Sequence, residues 1–218
     1  QKTAAINGQR QIEEINRTQA VIEFSNEGVI LSANDNFLNA LGYRLDEIKD
    51  KHHSMFVDPQ YRESSDYRQF WRDLNEGRFQ TAEYKRLGKG GREVWIQATY
   101  NPIFDASGTV VRVQKFAIDI TARKRAESEA AKVTSMMENA PINVMFAGPD
   151  LKISYLNPAS LKTLKSIEHL LPVRADQVLG QSVDIFHKNP DHQRRLLGDP
   201  RNLPHNAIIT VGPESLDL

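Results

Sequence analysis

The feature that most constrains this chain is that its second half restarts the pattern of its first. INVMFAGPDLKISYLNPASL superimposes on AVIEFSNEGVILSANDNFL with Phe146 opposite Phe24 and Asn157 opposite Asn34, across one inserted residue. Further along, FHKNP (Phe186 to Pro190) falls opposite FVDP (Phe56 to Pro59), again with one residue of slack. A period of roughly 120 residues is too long for a solenoid and fits tandem domains. The 218 residues leave room for two compact domains or for one and part of another.

Within the first copy, VIEF and VILSAN read as two strands joined by a tight turn at Asn26, Glu27 and Gly28. Asp35 to Leu41 places Phe37, Leu38 and Leu41 on one helical face, and Leu45 to Ile48 adds a short helical turn. A loop rich in histidine and proline leads to a helix from Ser65 to Leu74. Strands then follow at Thr81 to Leu87, Glu93 to Pro102 and Val110 to Ile118, the first two joined by a turn containing GKGG. Trp95 alternates out of phase with Ile96, Ala98 and Tyr100 and is expected on the opposite sheet face, under a flanking helix.

Two polar, proline-free stretches carry thin apolar seams. Ala5, Gly8, Ile12 and Ile15 mark the first, and Ala126, Ala130, Val133, Met137 and Ala140 mark the second. Spacings of three and four suit a helix that pairs in parallel with its copy, or a single solvated linker helix. Lysine and arginine balance aspartate and glutamate at 28 each, so no global field favours nucleic acid or an anionic membrane. The cysteine count of 0 excludes disulfides and thiolate chemistry. No apolar run approaches the roughly 20 residues of a membrane span. Walker, GxSxG, HExxH and GxGxxG motifs are all missing, and the chain is expected not to be an enzyme.

The strand pair ending in Ser32, Ala33 and Asn34, the following NFLNALGY, the strand EVWIQATYNPIFD and the terminal Asp119, Ile120, Thr121 (DIT) resemble the PAS family. The resemblance implies an α+β fold: tandem PAS domains, each a five-stranded antiparallel sheet with short helices on one face. The divisions are a connector helix over 1–19, a first PAS domain over 20–121, a helical linker over 122–140 and a C-terminally truncated second PAS domain over 141–218. QAVIEFSNEG, ANDNFL and DYRQFWRDLNEGRF further resemble PAS units of bacterial chemoreceptors and aerotaxis transducers. There a flavin (FAD) is held beside a tryptophan on the late helix. The resemblance carries over Trp71, Asn34 and His53 as flavin contacts, while an arginine and a histidine of that group are here Val57 and Asp58.

The second copy, from SIEHLLPVRADQVLGQSVDIFHKNPDHQRRLL onward, is similar to the haem-binding PAS domain of oxygen-sensing chemoreceptors. In that group a histidine on a short helix after the DIF segment is the axial haem ligand. His187 matches it, with His192 as the nearest competitor, and Ile185, Phe186, Leu196 and Leu197 would supply apolar walls. By the same resemblance, the last strand of this copy's sheet lies beyond Leu218. The implied role is a cytoplasmic sensory input module of a chemoreceptor that detects oxygen, redox state or a small ligand. It would relay the signal along connector helices as a homodimer, with a downstream signalling domain and no direct contact with membrane or nucleic acid. The alternatives are a cofactor-free PAS interaction module, or the input region of a histidine kinase or cyclic-nucleotide enzyme.

Overall fold

A computed structural model describes residues 17–202, 204 and 208–217. The connector helix expected over 1–19 lies, except for its last three residues, outside the described residues. The chain divides into two compact units at residues 127 and 128.

The first unit is built on one antiparallel sheet of five strands in the order β2-β1-β5-β4-β3. The strands are β1 (Ala20–Ser25), β2 (Ile30–Ala33), β3 (Gln80–Leu87), β4 (Glu93–Phe104) and β5 (Val110–Asp119). The β1–β2 turn needs a glycine twice over. Gly28 has a φ of 86°, and a Cβ there would lie 2.6 Å from His52 Nε2 and 2.8 Å from the Trp71 ring. Period-two alternation turns Val94, Ile96, Ala98 and Tyr100 of β4 inward together with Val113, Lys115 and Ala117 of β5.

Four helices connect β2 to β3: α1 (Asp35–Leu41), α2 (Leu45–Ile48), α3 (Pro59–Arg62) and α4 (Ser65–Asn75), with a 3-10 turn at His53–Phe56. Asn34 caps the start of α1, and Gly42, at a φ of 77°, stops it by donating its N–H to Leu38 O. Ser64 caps α4, which buries Tyr67, Phe70 and Leu74. Phe70 and Leu74 join Phe24, Phe37, Leu41, Ile48, Phe56 and the inner apolar residues of the sheet in one core. Each large side chain moved from water into it contributes about 1.5–3 kcal/mol.

At the end of β5, Ile120 N donates to Trp95 O at 2.9 Å, and Asp119 accepts from Thr121 N at 2.8 Å. There α5 (Thr121–Glu138) begins. Trp95 lies on the outer face of β4, half-buried, with Lys124 Nζ of α5 at 5.3 Å from its ring. The helix ends two residues before the expected Ala140. Pro141 keeps Ala140 out of helical geometry, and Asn139 donates its side-chain amide to Ser135 O at 2.8 Å.

The second unit contains β6 (Met145–Ala147), β7 (Ile153–Leu156), α6 (Pro158–Ser166), α7 (Pro190–Leu197), β8 (Ile208–Val211) and β9 (Glu214–Asp217), with short 3-10 turns between. Ile153, Leu164, Ile167, Ala175, Val178 and Phe186 form its core. Its first hairpin repeats that of the first unit bond for bond. Phe24 pairs with Ile30 after a bulge, and Ala147 pairs with Ile153 after a bulge. This corrects the superposition read from sequence: Ala147, not Phe146, stands opposite Phe24. Matching the two phenylalanines shifts the strand by one residue and turns it over. Phe146 instead occupies the place of Glu23 and is 49% exposed. No helix among the described residues is long and apolar enough to cross a membrane.

Candidate functional site

The interior of the first unit contains a chain of polar side chains. His52 caps the 3-10 turn by accepting from Ser54 N, and its Nε2 lies 2.9 Å from Glu27 O. With the bond from His53 N to Gly28 O, this docks the turn on the β1–β2 hairpin and carries the His53 ring into the core, where it is fully buried. His53 Nδ1 lies 2.8 Å from the Tyr67 hydroxyl, and Nε2 lies 3.1 Å from that of Tyr100. A neutral imidazole donates from one nitrogen and accepts at the other, so one tyrosine is donor to it and the other acceptor. The Tyr100 hydroxyl also accepts from Arg86 Nη2 at 3.0 Å, and Arg86 Nη1 donates to Lys85 O at 2.9 Å. Phe24, Phe70, Trp71 and Tyr84 surround this chain edge-on or stacked.

The buried charged residues among the described ones are all basic, His53, Arg86 and Lys115, and no aspartate or glutamate is buried. Burial, reinforced by repulsion from Arg86, Lys115 and His52, holds the His53 pKa well below its ordinary 6.5. Lys115 is likewise held well below the usual lysine range, by burial and then by Arg86. Burial pushes Tyr67 and Tyr84 up to about 12. The folded unit therefore keeps His53 neutral, while the unfolded chain takes up a proton below about pH 6.5. Stability conferred by the neutral ring is present above that pH and falls as pH drops, by up to about 1.4 kcal/mol per pH unit. Denaturant titrations at pH 7, 6 and 5 should show a slope one proton shallower in His53→Phe than in the wild type. Equal slopes would mean that His53 is not buried neutral.

Of the three residues carried over as flavin contacts, the structure brings two together. His53 and Trp71 meet edge-on with ring centres 5.5 Å apart. Asn34 serves the backbone instead: its side-chain oxygen accepts from Val21 N at 2.9 Å and Phe37 N at 3.0 Å, and its amide donates to Gln19 O at 2.8 Å. Asn157 does the same in the second unit, accepting from Val144 N and Ser160 N and donating to Ile142 O. Both nitrogens of His53 are taken by tyrosines. The Trp71 indole N–H is buried, and the nearest acceptor to it is the Tyr67 hydroxyl, which lies outside ordinary hydrogen-bond geometry.

In the second unit the two candidate histidines part company. His187 does not lie on a helix, as the resemblance implied; it is the extended residue that ends the 3-10 turn Val183–Phe186. The reason is local: the turn closes through His187 N to Asp184 O, and α7 starts only at Pro190, capped by Asn189. His187 is partly buried, and its ring makes no hydrogen bond among the described residues; burial lowers its pKa against the opposing pull of Asp184. It occupies the place of Val57, which is buried in the first unit after the equivalent turn. His192 is the residue on the helix, and it is exposed beside Arg195, Leu196 and Asn202. Arg86, Lys115 and Tyr67 escaped the sequence reading, which placed Tyr100 on the inner face but gave it no role, although Lys115 shares strand parity with Val113 and Ala117.

Residues 30–117 match the family described as PAS fold. The first unit is a PAS domain. This chain is 40% identical over 117 residues to the biofilm dispersion protein BdlA of Pseudomonas aeruginosa, covering 54% of this chain and 28% of that protein. It is 30% identical over 139 residues to the methyl-accepting chemotaxis protein McpB of the same species, covering 56% of this chain and 20% of that protein. The chain thus spans less than a third of the length of either relative. Among solved structures, the PAS domain of a protein from Colwellia psychrerythraea aligns with a TM-score of 0.47 at 21% identity, covering 52% of this chain and 97% of that one. In this PAS domain the buried polar chain lies between the sheet and the helices α1–α4, and β4 carries it on one face and Trp95 on the other.

Proposed function

We propose that the chain is the sensory input region of a chemotaxis-type transducer, cytoplasmic and without catalytic activity, in which two PAS units in series bind small molecules and report their occupancy through helices. The observation that carries this reading is the junction of β4 with α5. The Thr121 hydroxyl oxygen, on the first residue of α5, accepts from Trp95 N at 2.9 Å, while Tyr100 of the same strand links His53 to Arg86 in the buried polar chain. A shift of β4 imposed by a ligand in the core therefore reaches the helix through a direct hydrogen bond. The similarity to BdlA and McpB supports the same role.

The helix α5 buries none of its residues within this chain, and Val133 is 46% exposed. We assign its Ala126, Ala130, Val133, Met137 seam to a homodimer contact, with a signalling domain downstream. The second unit, whose opening hairpin, asparagine cap and 3-10 turn repeat those of the first, is read as the second PAS domain, with His187 as the haem ligand. Haem iron would supply a site for a diatomic gas. The protein would supply an imidazole with no competing hydrogen bond among the described residues, together with the apolar side chains of Ile185 and Phe186. For FAD in the first unit, the fit is limited to Trp71.

The test uses a chain extended through the whole second unit and supplied with haem. His187→Ala should lose the Soret band or shift it, and His192→Ala should keep the wild-type spectrum. The reverse result would move the ligand to His192, and a colourless wild-type protein would contradict haem binding.

A further inference from the structure

Among the described residues the core of the first unit buries a guanidinium and a lysine but no carboxylate. Arg86 is 3% exposed and Lys115 is 1% exposed, and neither forms an ion pair among the described residues. Both flank Tyr100: Arg86 Nη2 donates to its hydroxyl, and Lys115 Nζ lies 4.9 Å from its ring centre and 5.3 Å from that of Phe37. The ring faces attract the ammonium but provide none of the acceptors that its three N–H groups can use. Arg86 Nε is buried with no hydrogen-bond partner. A guanidinium taken out of water with an N–H unpartnered is costly, and the burial that disfavours the Lys115 ammonium is offset once a counter-charge lies beside it.

There is a way in. Beside the edge strand β3, a groove of about 450 Å³ is lined by Val57, Tyr61, Tyr84 and Arg86, a volume suited to a small molecule; Lys115, over the Tyr100 ring, is not in its wall. The two carboxylates at the same groove are already engaged: Asp58 accepts from Gln60 N, and Glu83 is held by Arg123 and Lys124.

We infer that the first unit takes a small anion, carboxylate- or phosphate-bearing, that enters by the groove at β3 and places its charge against Arg86 and Lys115. This rests on reading the unit as a ligand sensor and names the chemical class of its ligand. An anion would use the unpartnered Arg86 Nε and the Lys115 ammonium in charge-assisted hydrogen bonds, and through Tyr100 it would act on β4.

The test is calorimetric titration and thermal melting of the 218-residue chain with acetate, succinate, citrate and inorganic phosphate at matched ionic strength. At least one should bind saturably and raise the melting temperature by several degrees; a carboxylate or phosphate preference identifies the source of the charge. Arg86→Gln and Lys115→Met should each weaken that binding about tenfold or more. Lys115→Met should also melt higher than the wild type without ligand, because it removes a buried amine whose N–H groups have no acceptor, so loss of binding in that variant cannot be laid to unfolding. Saturable binding of none of the four probes, or binding equally tight in both variants, would overturn the inference. Failure of the sensor reading looks different: the anion binds and depends on both residues, yet hydrogen exchange in α5 does not change.

Discussion

Phe24→Ala is expected to cost the first unit about 3–5 kcal/mol, enough to bring a marginally stable domain close to unfolding. The side chain is fully buried and lies against three members of the site: His53 at 5.2 Å between ring centres, Trp71 at 6.0 Å and Tyr100 at 6.4 Å. Truncation leaves a cavity that these rings cannot fill without breaking the bonds from His53 to Tyr67 and Tyr100, so the loss should be at the upper end for its type. Phe24→Leu, which fills most of the space, should cost less than half as much. Phe146→Ala, on the exposed position of the second unit, should stay within about 0.5 kcal/mol of wild type. Urea denaturation of the three variants checks the ranking, and a large loss for Phe146→Ala would restore the sequence-based pairing of the two phenylalanines.

Asn34→Ala should destabilise the same unit by about 2–3 kcal/mol, combining the loss of a helix cap with the unpairing of Val21 N and Gln19 O. Asn34→Asp separates a structural role from a ligand-binding one. Aspartate keeps the cap on Phe37 N and loses the donor to Gln19 O, so it should recover part of the lost stability. Asn157→Ala should produce a comparable loss in the second unit, where the asparagine is completely buried and makes the equivalent bonds. Stability measured by denaturant titration should therefore respond to the asparagines in both units. If Asn34→Ala left stability unchanged and altered only ligand binding, the capping account would be wrong.

The course of the first unit was legible because its strands alternate and its helices are capped. Leu45–Ile48 as a helical turn, Gly28 at the hairpin and Trp95 on the outer face all follow from period and turn chemistry. The buried basic residues of the strands were not legible, because an arginine or lysine in a strand reads as a solvated residue unless strand parity is followed. Lys115 stands between the inward Val113 and Ala117, and Arg86 two residues from the half-buried Tyr84. His53 was singled out for a flavin, yet its tyrosine partners come from α4 and β4, distant in sequence, and no local pattern announces them. His187 and His192 show the same limit: the motif brought both forward, and only the end of the 3-10 turn shows which one faces inward.

The central claim is that the core of the PAS domain is coupled to α5 through β4. Backbone hydrogen exchange of residues 121–138 tests it most directly, compared among wild type, Tyr100→Phe, Thr121→Ala and the double variant. Tyr100→Phe removes the hydroxyl that joins His53 to Arg86 and should change protection at the start of α5. In the Thr121→Ala background, where the bond from Trp95 N is gone, the same core substitution should change nothing further. Exchange in α5 that ignores Tyr100→Phe, or responds to it equally with and without the Thr121 hydroxyl, would contradict the account.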